Sequence, residues 1–572
     1  MSPPPGEKTG VVHAEDAEHG LSGNTTPLEA IDDATEDFRW DLTIYLNLLA
    51  LMMAYFAATW SLLIPTSCIH FIVEKFPTEG RLAAWIAAST TIPICVIQAF
   101  VGDMSDILGR KPFLLVGMVV GVAGSLVSSR ATSLIMVIGG QVLNGCGLTL
   151  GYLAIPLFTE VVPKDKRPAI QGFSGIVAGV ASLLGPIIQG VFIEERVGGL
   201  LEGWRVGFYI SAALYAIAFV LLTLFYHPAA RPNQAGESTT AKLMHIDWLG
   251  IFLVAAGLVL FLVGLQYGGN PYPWTSATVL STMIIGIVLL IILGAWEGKG
   301  TTTGLFTHAL FDHRNFALGL VLNFVSGIIL FGGQAYLPQE IAALFTTNAT
   351  MAGVYNIPFN LMSIVGGFGG GILMGITKEA KGIVVGSFVL LLIGSGLMPV
   401  MKPSINFAAW CFPTGLLGCG VGAQAAIITV VMSLCTPNQY IATALTLGAS
   451  VRALGGSIGV VIFGQIFNSK VTNMLYPKIG RAISAAGLPP ARVEQFLMAV
   501  ASGRTDELAE IPGVTGRVLE AFESTYVSGL AECYRYVWYA ITPFCAAALV
   551  LSFFVLSTKA QMTRQVAAGV QR

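Results

Sequence analysis

Fourteen runs of about twenty mainly apolar residues recur along this chain, and they constrain the fold more than anything else in it. They lie near 42–65, 82–102, 112–129, 133–157, 168–193, 205–226, 248–267, 276–296, 315–339, 350–376, 382–400, 407–434, 439–467 and 535–556. Coiled as a helix, a run of that length spans the hydrocarbon of a bilayer, and a helix satisfies its own backbone where water is absent. An all-α, polytopic membrane protein is expected. Composition agrees, with 54% hydrophobic and only 11% charged residues, against about 25% charged in soluble domains. So few charges cannot coat a water-facing surface for 572 residues.

The runs fall in a six, two, six order. This predicts a disordered cytosolic tail over 1–41, a six-helix bundle over 42–226 and linkers with two extra helices over 227–314. A second six-helix bundle over 315–556 includes an outer loop at 468–534, and 557–572 forms a cytosolic tail. Residues 1–38 are rich in Pro, Gly, Thr and acids and lack the apolar core of a signal peptide.

Loops after even-numbered runs carry Arg110, Lys111, Lys164, Lys166, Arg167, Arg231, Lys242, Lys299, Arg314, Lys378 and Lys381. The alternate loops carry Lys75, Arg81, Arg130, Arg196, Arg205 and Lys402. Basic residues accumulate on the cytosolic side, so both termini are expected there. Asn348-Ala349-Thr350 then lies outside as a candidate glycan acceptor.

A net charge of -2 gives no reason to expect a nucleic-acid partner. Eight single cysteines show no metal-ligand spacing, and neither a phosphate-binding loop nor a catalytic cluster is visible. No metal, no cofactor and no enzymatic activity are expected. The partners implied are the lipid bilayer and a small-molecule cargo, and a monomer is expected.

An internal repeat supports two matched halves. Gly102-x3-Asp106-x2-Gly109-Arg110-Lys111 follows the second run, and Gly375-x2-Lys378-x2-Lys381-Gly382 follows the tenth. Glycines 175, 179, 185 and 190 of the fifth run are answered by 448, 455, 456, 459 and 464 in the thirteenth. Matched halves around a central cavity are a transporter arrangement. Gly109 permits a tight turn, and Asp106 beside Arg110 and Lys111 can form a charge latch between helices. In the fifth run, Gly175 and Gly179 permit close helix contact, while Gly185-Pro186, followed by Gly190, bends the helix.

These motifs carry a resemblance. "GDMSDILGRKPFLL" (102–115) resembles the cytosolic signature loop of the major facilitator superfamily, and "GIVAGVASLLGPIIQG" (175–190) its antiporter motif. Trp204-Arg205-x2-Phe208-Tyr209, Asp247-Trp248-x-Gly250 and "GLQYGGNPYPW" (264–274) are similar to elements of fourteen-span drug:H⁺ antiporters. Within that group, 305–327, 450–459 and 482–490 resemble the fungal trichothecene efflux pump family. The resemblance implies proton-driven export of a secondary metabolite, mycotoxin or drug across a fungal plasma membrane, or a vacuolar or vesicular one. Siderophore-iron uptake and a non-transporting sensor remain the alternatives. The likeness stops at two positions, where Phe56 and Gln141 replace an acid and an arginine of the antiporter pattern.

An ionisable group deep in a bilayer is costly and usually functional, which singles out Arg452. Polar side chains in the spans are further candidates for the cavity: Gln141, Asn144, Asn323, Gln334, Asn360 and Gln424. Gln141 and Asn144 share one face of the fourth helix, a cavity helix in facilitators, and rank first. Asp41, Asp103, Glu160, Glu297 and Glu340 are the coupling candidates by position. A cavity without acids favours neutral cargo.

Overall fold

The structure is a computed structural model that describes residues 40–562 apart from 229–242, 245, 270–271, 302–303, 307, 347, 403, 502–507 and 509. Nearly all of the N-terminal tail, most of the linker after the sixth run and the end of the C-terminal tail lie outside the described residues.

All regular elements among the described residues are helical. The first set comprises α1 (Leu42–Lys75), α2 (Ala83–Gln98), α3 (Val101–Leu108), α4 (Arg110–Ser129), α5 (Leu134–Tyr152), α6 (Ala154–Glu160), α7 (Arg167–Glu194) and α8 (Arg205–Phe225). An inserted pair follows, α9 (Trp248–Tyr267) and α10 (Ala277–Ala295). The second set is α11 (Arg314–Leu344), α12 (Ala349–Thr377), α13 (Lys381–Leu397), α14 (Phe407–Leu434), α15 (Ile441–Lys470), α16 (Tyr476–Ala485), α17 (Pro490–Ala501) and α18 (Gly516–Ser552). Among the described residues thirteen helices are long and apolar enough to cross a bilayer, and α2 with α3, bent by 53°, makes fourteen if the pair is one span.

Three elements depart from the apolar runs. The first run stops at Pro65, yet α1 continues through it to Lys75. Proline leaves the carbonyl four residues earlier without a helical donor, and here Asn144 Nδ2 reaches the Ser61 carbonyl at 3.5 Å. The second run turns at Ala99–Phe100, where bonding tightens to i→i−3, and continues as α3. The segment expected as an outer loop, 468–534, is largely helical. Short amphipathic α16 and α17 and the start of α18 bury Ile479, Ile483, Phe496, Val518 and Phe522 together, and Lys478 pairs with Glu532 at 2.8 Å. Hydropathy over a twenty-residue window misses such helices because half of each is polar.

Two seams join the sets. Along one, α7 meets α12 almost backbone to backbone: a Cβ on Gly172 would stand 3.2 Å from the Gly367 carbonyl, and one on Gly175 3.7 Å from Gly367 Cα. Along the other, α15 lies against α2 and α3, with Ser450 Oγ donating to the Cys95 carbonyl at 2.5 Å. Small residues let helices approach where lipid provides no hydrophobic drive. The inserted pair packs through Gly257, Gly264 and Gly286.

Candidate functional site

At one end of the molecule the two sets are sealed together. Gly109 adopts φ +98°, a conformation that L side chains rarely take, and this turn sends Arg110 back over α3. Its guanidinium meets Asp106 Oδ1 at 3.0 Å and Glu160 Oε1 at 2.6 Å. Glu160 is almost wholly buried, and Asp106 and Arg110 nearly so, so the charges are screened little by solvent. Thr443 of α15 donates to Asp106 Oδ2 at 3.4 Å, carrying the cluster across the seam. Gly102 makes room for this: a Cβ there would come within 2.7 Å of the Ala442 carbonyl. Arg167, fully buried, donates to the Ser433 carbonyl at the end of α14 at 2.8 Å. Lys111 sits apart from the cluster, on the Thr223 carbonyl at 3.0 Å.

At the other end a cavity of about 500 Å³ opens between the sets. Its walls come from α1, α2, α7, α9, α11, α12 and α15, and among the described residues its lining includes no Asp, Glu, Lys or Arg. Pro65, Pro186 and Pro338 all line it, so the bends of three helices shape its wall. Gly190 lines it too, while Gly185 only touches Trp60 and Ile64 at ordinary distance. Gly179 faces Ile364 across the seam with no room for a side chain. Asn360 Nδ2 donates to the Ser182 carbonyl at 3.2 Å.

The amides named from sequence divide sharply. Gln334 and Asn360 line the cavity. Gln141, Asn144, Asn323 and Gln424 do not. Gln141 and Asn144 have no exposed surface and knit the first set from within: Gln141 Nε2 donates to Ser128 Oγ at 2.8 Å, Thr90 Oγ1 donates to Gln141 Oε1 at 3.3 Å, and Ser61 Oγ donates to Asn144 Oδ1 at 2.7 Å. Their face of α5 is turned toward neighbouring helices instead of the central space. Asn323 contacts Met432 Sδ at 3.1 Å, and Gln424 is buried in α14 with its Oε1 unpartnered.

Arg452 lies on α15 below the cavity. Its Nε is buried and makes no hydrogen bond, and in the first set the rings of Tyr55 and Tyr152 stand 5.7 Å apart. Of the acids, Asp41 caps α1, and Glu297 accepts from the backbone of Leu305 and Phe306 at 3.0 and 3.2 Å. Asp103 lies on α3 one turn before Asp106, partly buried. Glu340 is buried and accepts from Trp538 Nε1 at 2.7 Å. None of the five lines the cavity. Asn348 is exposed at the cavity mouth and caps α12, accepting from Met351 N at 2.8 Å, and Thr350 Oγ1 donates to Glu194 of α7 at 2.8 Å.

Three contributors play parts that the sequence analysis does not give them. Glu160 counts there only as one of five coupling candidates, Arg167 only as one of the basic loop residues, and His70, at the cavity mouth, is not singled out. The signal for Arg167 was its place directly before Pro168 at a helix start. Nothing in the sequence revealed which carbonyl it would reach.

Comparison with known proteins agrees with this geometry. MFS transporter L2 of a Phoma species is 25% identical over 516 residues, spanning 89% of this chain and 80% of the relative. Efflux pump dotC of Dothistroma septosporum is 26% identical over 540 residues, spanning 94% and 88%. Among solved structures, the proton:xylose symporter XylE, of the major facilitator superfamily, superposes with a TM-score of 0.55 at 13% identity, over 92% of this chain and 98% of that one. A family described as "Fungal trichothecene efflux pump" matches residues 44–569, and the chain belongs to that family of membrane transporters.

Proposed function

We propose that the protein exports a small, largely neutral secondary metabolite, mycotoxin or drug across the plasma membrane in exchange for protons. The cavity carries this reading. Its volume of about 500 Å³ suits a drug-sized molecule. Its walls are apolar with scattered amides and hydroxyls and no fixed charge, which favours an uncharged, oxygenated cargo over a cation. The distribution of basic loops supports placing the sealed end in the cytosol, which leaves the cavity open to the outside, the state that follows release. Rocking of 42–226 against 315–556, with 227–314 as linkers and inserted helices, would alternate the two openings. The protein works as a monomer in this reading.

Proton coupling then needs an acid away from the cargo, and Glu340 is the proposed carrier, with Trp538 as its partner when charged. Arg452 sits between the cavity and the seal, where cargo oxygens or Tyr55 could draw on its charge. Asn348 is kept as a candidate glycan acceptor, and a glycosidase-induced mobility shift would test it.

The test is transport in proteoliposomes with an imposed pH gradient, across a panel of neutral fungal metabolites. Efflux that collapses with the gradient, and that Glu340→Gln uncouples from it, is expected. In cells, less retained compound marks export. A rise in intracellular iron instead would favour uptake of a ferric siderophore.

A further inference from the structure

We propose that α9, the first helix of the inserted pair, forms a cargo-contacting wall of the cavity, with the Gln266 carboxamide as its recognition group. The inference rests on the transport reading above.

A two-helix insertion could lie anywhere around the bundle. This one lies across the seam between α2 and α15, along one side of the cavity. Trp85 of α2 packs on Tyr267 with ring centroids 5.0 Å apart, and Gln465 of α15 donates from Nε2 to the Gly268 carbonyl at 3.2 Å. Held between these two contacts, the last turns of α9 bring Leu262, Leu265 and Gln266 into the cavity lining.

The cavity amides differ in what they have left to offer. Gln339 Nε2 donates to the Ala335 carbonyl at 2.7 Å, Asn356 Nδ2 to Ala352 at 3.4 Å and Asn360 Nδ2 to Ser182. Among the described residues, Gln266 and Gln334 make no such bond, so donor and acceptor both stay available to a ligand. They belong to α9 and α11, two different helices of the lining. An apolar wall with one free amide selects for a neutral, mainly hydrocarbon molecule that carries a hydroxyl or carbonyl on that side. A molecule lacking the group leaves the amide unpaired in a desolvated place and is rejected.

The experiment compares Gln266→Leu with Phe252→Trp, a change on the same helix at a side chain 62% exposed on the outside of the bundle. Export of two neutral terpenoids that differ by one hydroxyl is measured for each protein. Gln266→Leu is expected to change the ratio of their rates by about fivefold, the worth of one hydrogen bond between uncharged groups. Phe252→Trp leaves the ratio at the wild-type value. A wild-type ratio in Gln266→Leu overturns the inference.

A second arm needs no transport. Gln266→Cys in nanodiscs is treated with a charged methanethiosulfonate and compared with Phe252→Cys, each above the labelling of the parent protein. Reaction at position 266 about tenfold faster is expected, because thiolates form in water and not in hydrocarbon. Equal rates overturn the inference. A wild-type protein that moves neither terpenoid defeats the transport reading alone, and the labelling result then decides the wall.

Discussion

Asn360 of α12 donates at 3.2 Å to the Ser182 carbonyl of α7, the carbonyl that Pro186 leaves without its helical donor. A defect in one set of helices is thus repaired by a side chain of the other, at the surface of the cavity. The bend in α7 and the pairing of the two sets are one event. Asn360→Leu keeps the volume and removes the donor, which should cost about 1–3 kcal/mol, since a buried carbonyl is left unsatisfied. Lower thermal stability together with easier separation of α7 from α12, read by cross-linking across that seam, is the expected result.

Glu160→Gln takes one carboxylate from Arg110 at the sealed end. Arg110 keeps Asp106 as its counter-ion, so the loss is that of a charge-assisted hydrogen bond, roughly 1.5–3 kcal/mol. The seal is lost first, so a thiol placed in α3 should become reactive at temperatures where the wild type still excludes the reagent.

Gly102→Ala puts a methyl group 2.7 Å from the Ala442 carbonyl, and backbone cannot step aside as a side chain can. Such overpacking costs about 1–3 kcal/mol. The same thiol assay should report a parted α3–α15 seam, with the Arg110 cluster intact in the first set.

Gln141→Ala and Asn144→Ala strip hydrogen bonds from inside the first set, where neither side chain has exposed surface. Each should lower unfolding stability by about 1–3 kcal/mol and leave cargo preference unchanged. A shifted preference would return these residues to the cavity.

Glu202 gives the pH dependence. Burial pushes its carboxyl up, but hydrogen bonds from Lys75, at 2.7 Å, and Arg205 outweigh this and hold it below the usual glutamate range. A depressed acid stabilises the folded form above its unfolded pKa and loses that contribution as pH falls through the folded value. The link from the end of α1 to the start of α8 should therefore weaken below about pH 4.5. Glu202→Gln should flatten that part of a stability profile measured from pH 3 to 6.

The fold was legible because membrane spans announce themselves by length and hydropathy, and the signature loop by spacing. The site was less so. Asn144 and Asn360 look alike in sequence, each a lone amide in an apolar run. Only packing reveals that one answers Ser61 inside its own set and the other answers Ser182 across the seam. Gln266 was hidden for the same reason, since an inserted pair carries no mark of the seam it will cover. Glu160 lies fifty positions from Arg110, and no local pattern connects them.

Helix α18 runs for 37 residues, about 55 Å at 1.5 Å per residue, while the hydrocarbon slab takes only about 30 Å of it. The surplus stands with α16 and α17 as a mast, packed through Ile479, Ile483, Phe496, Val518 and Phe522. An antibody fragment gripping that mast would serve as a landmark for particle alignment in electron cryomicroscopy.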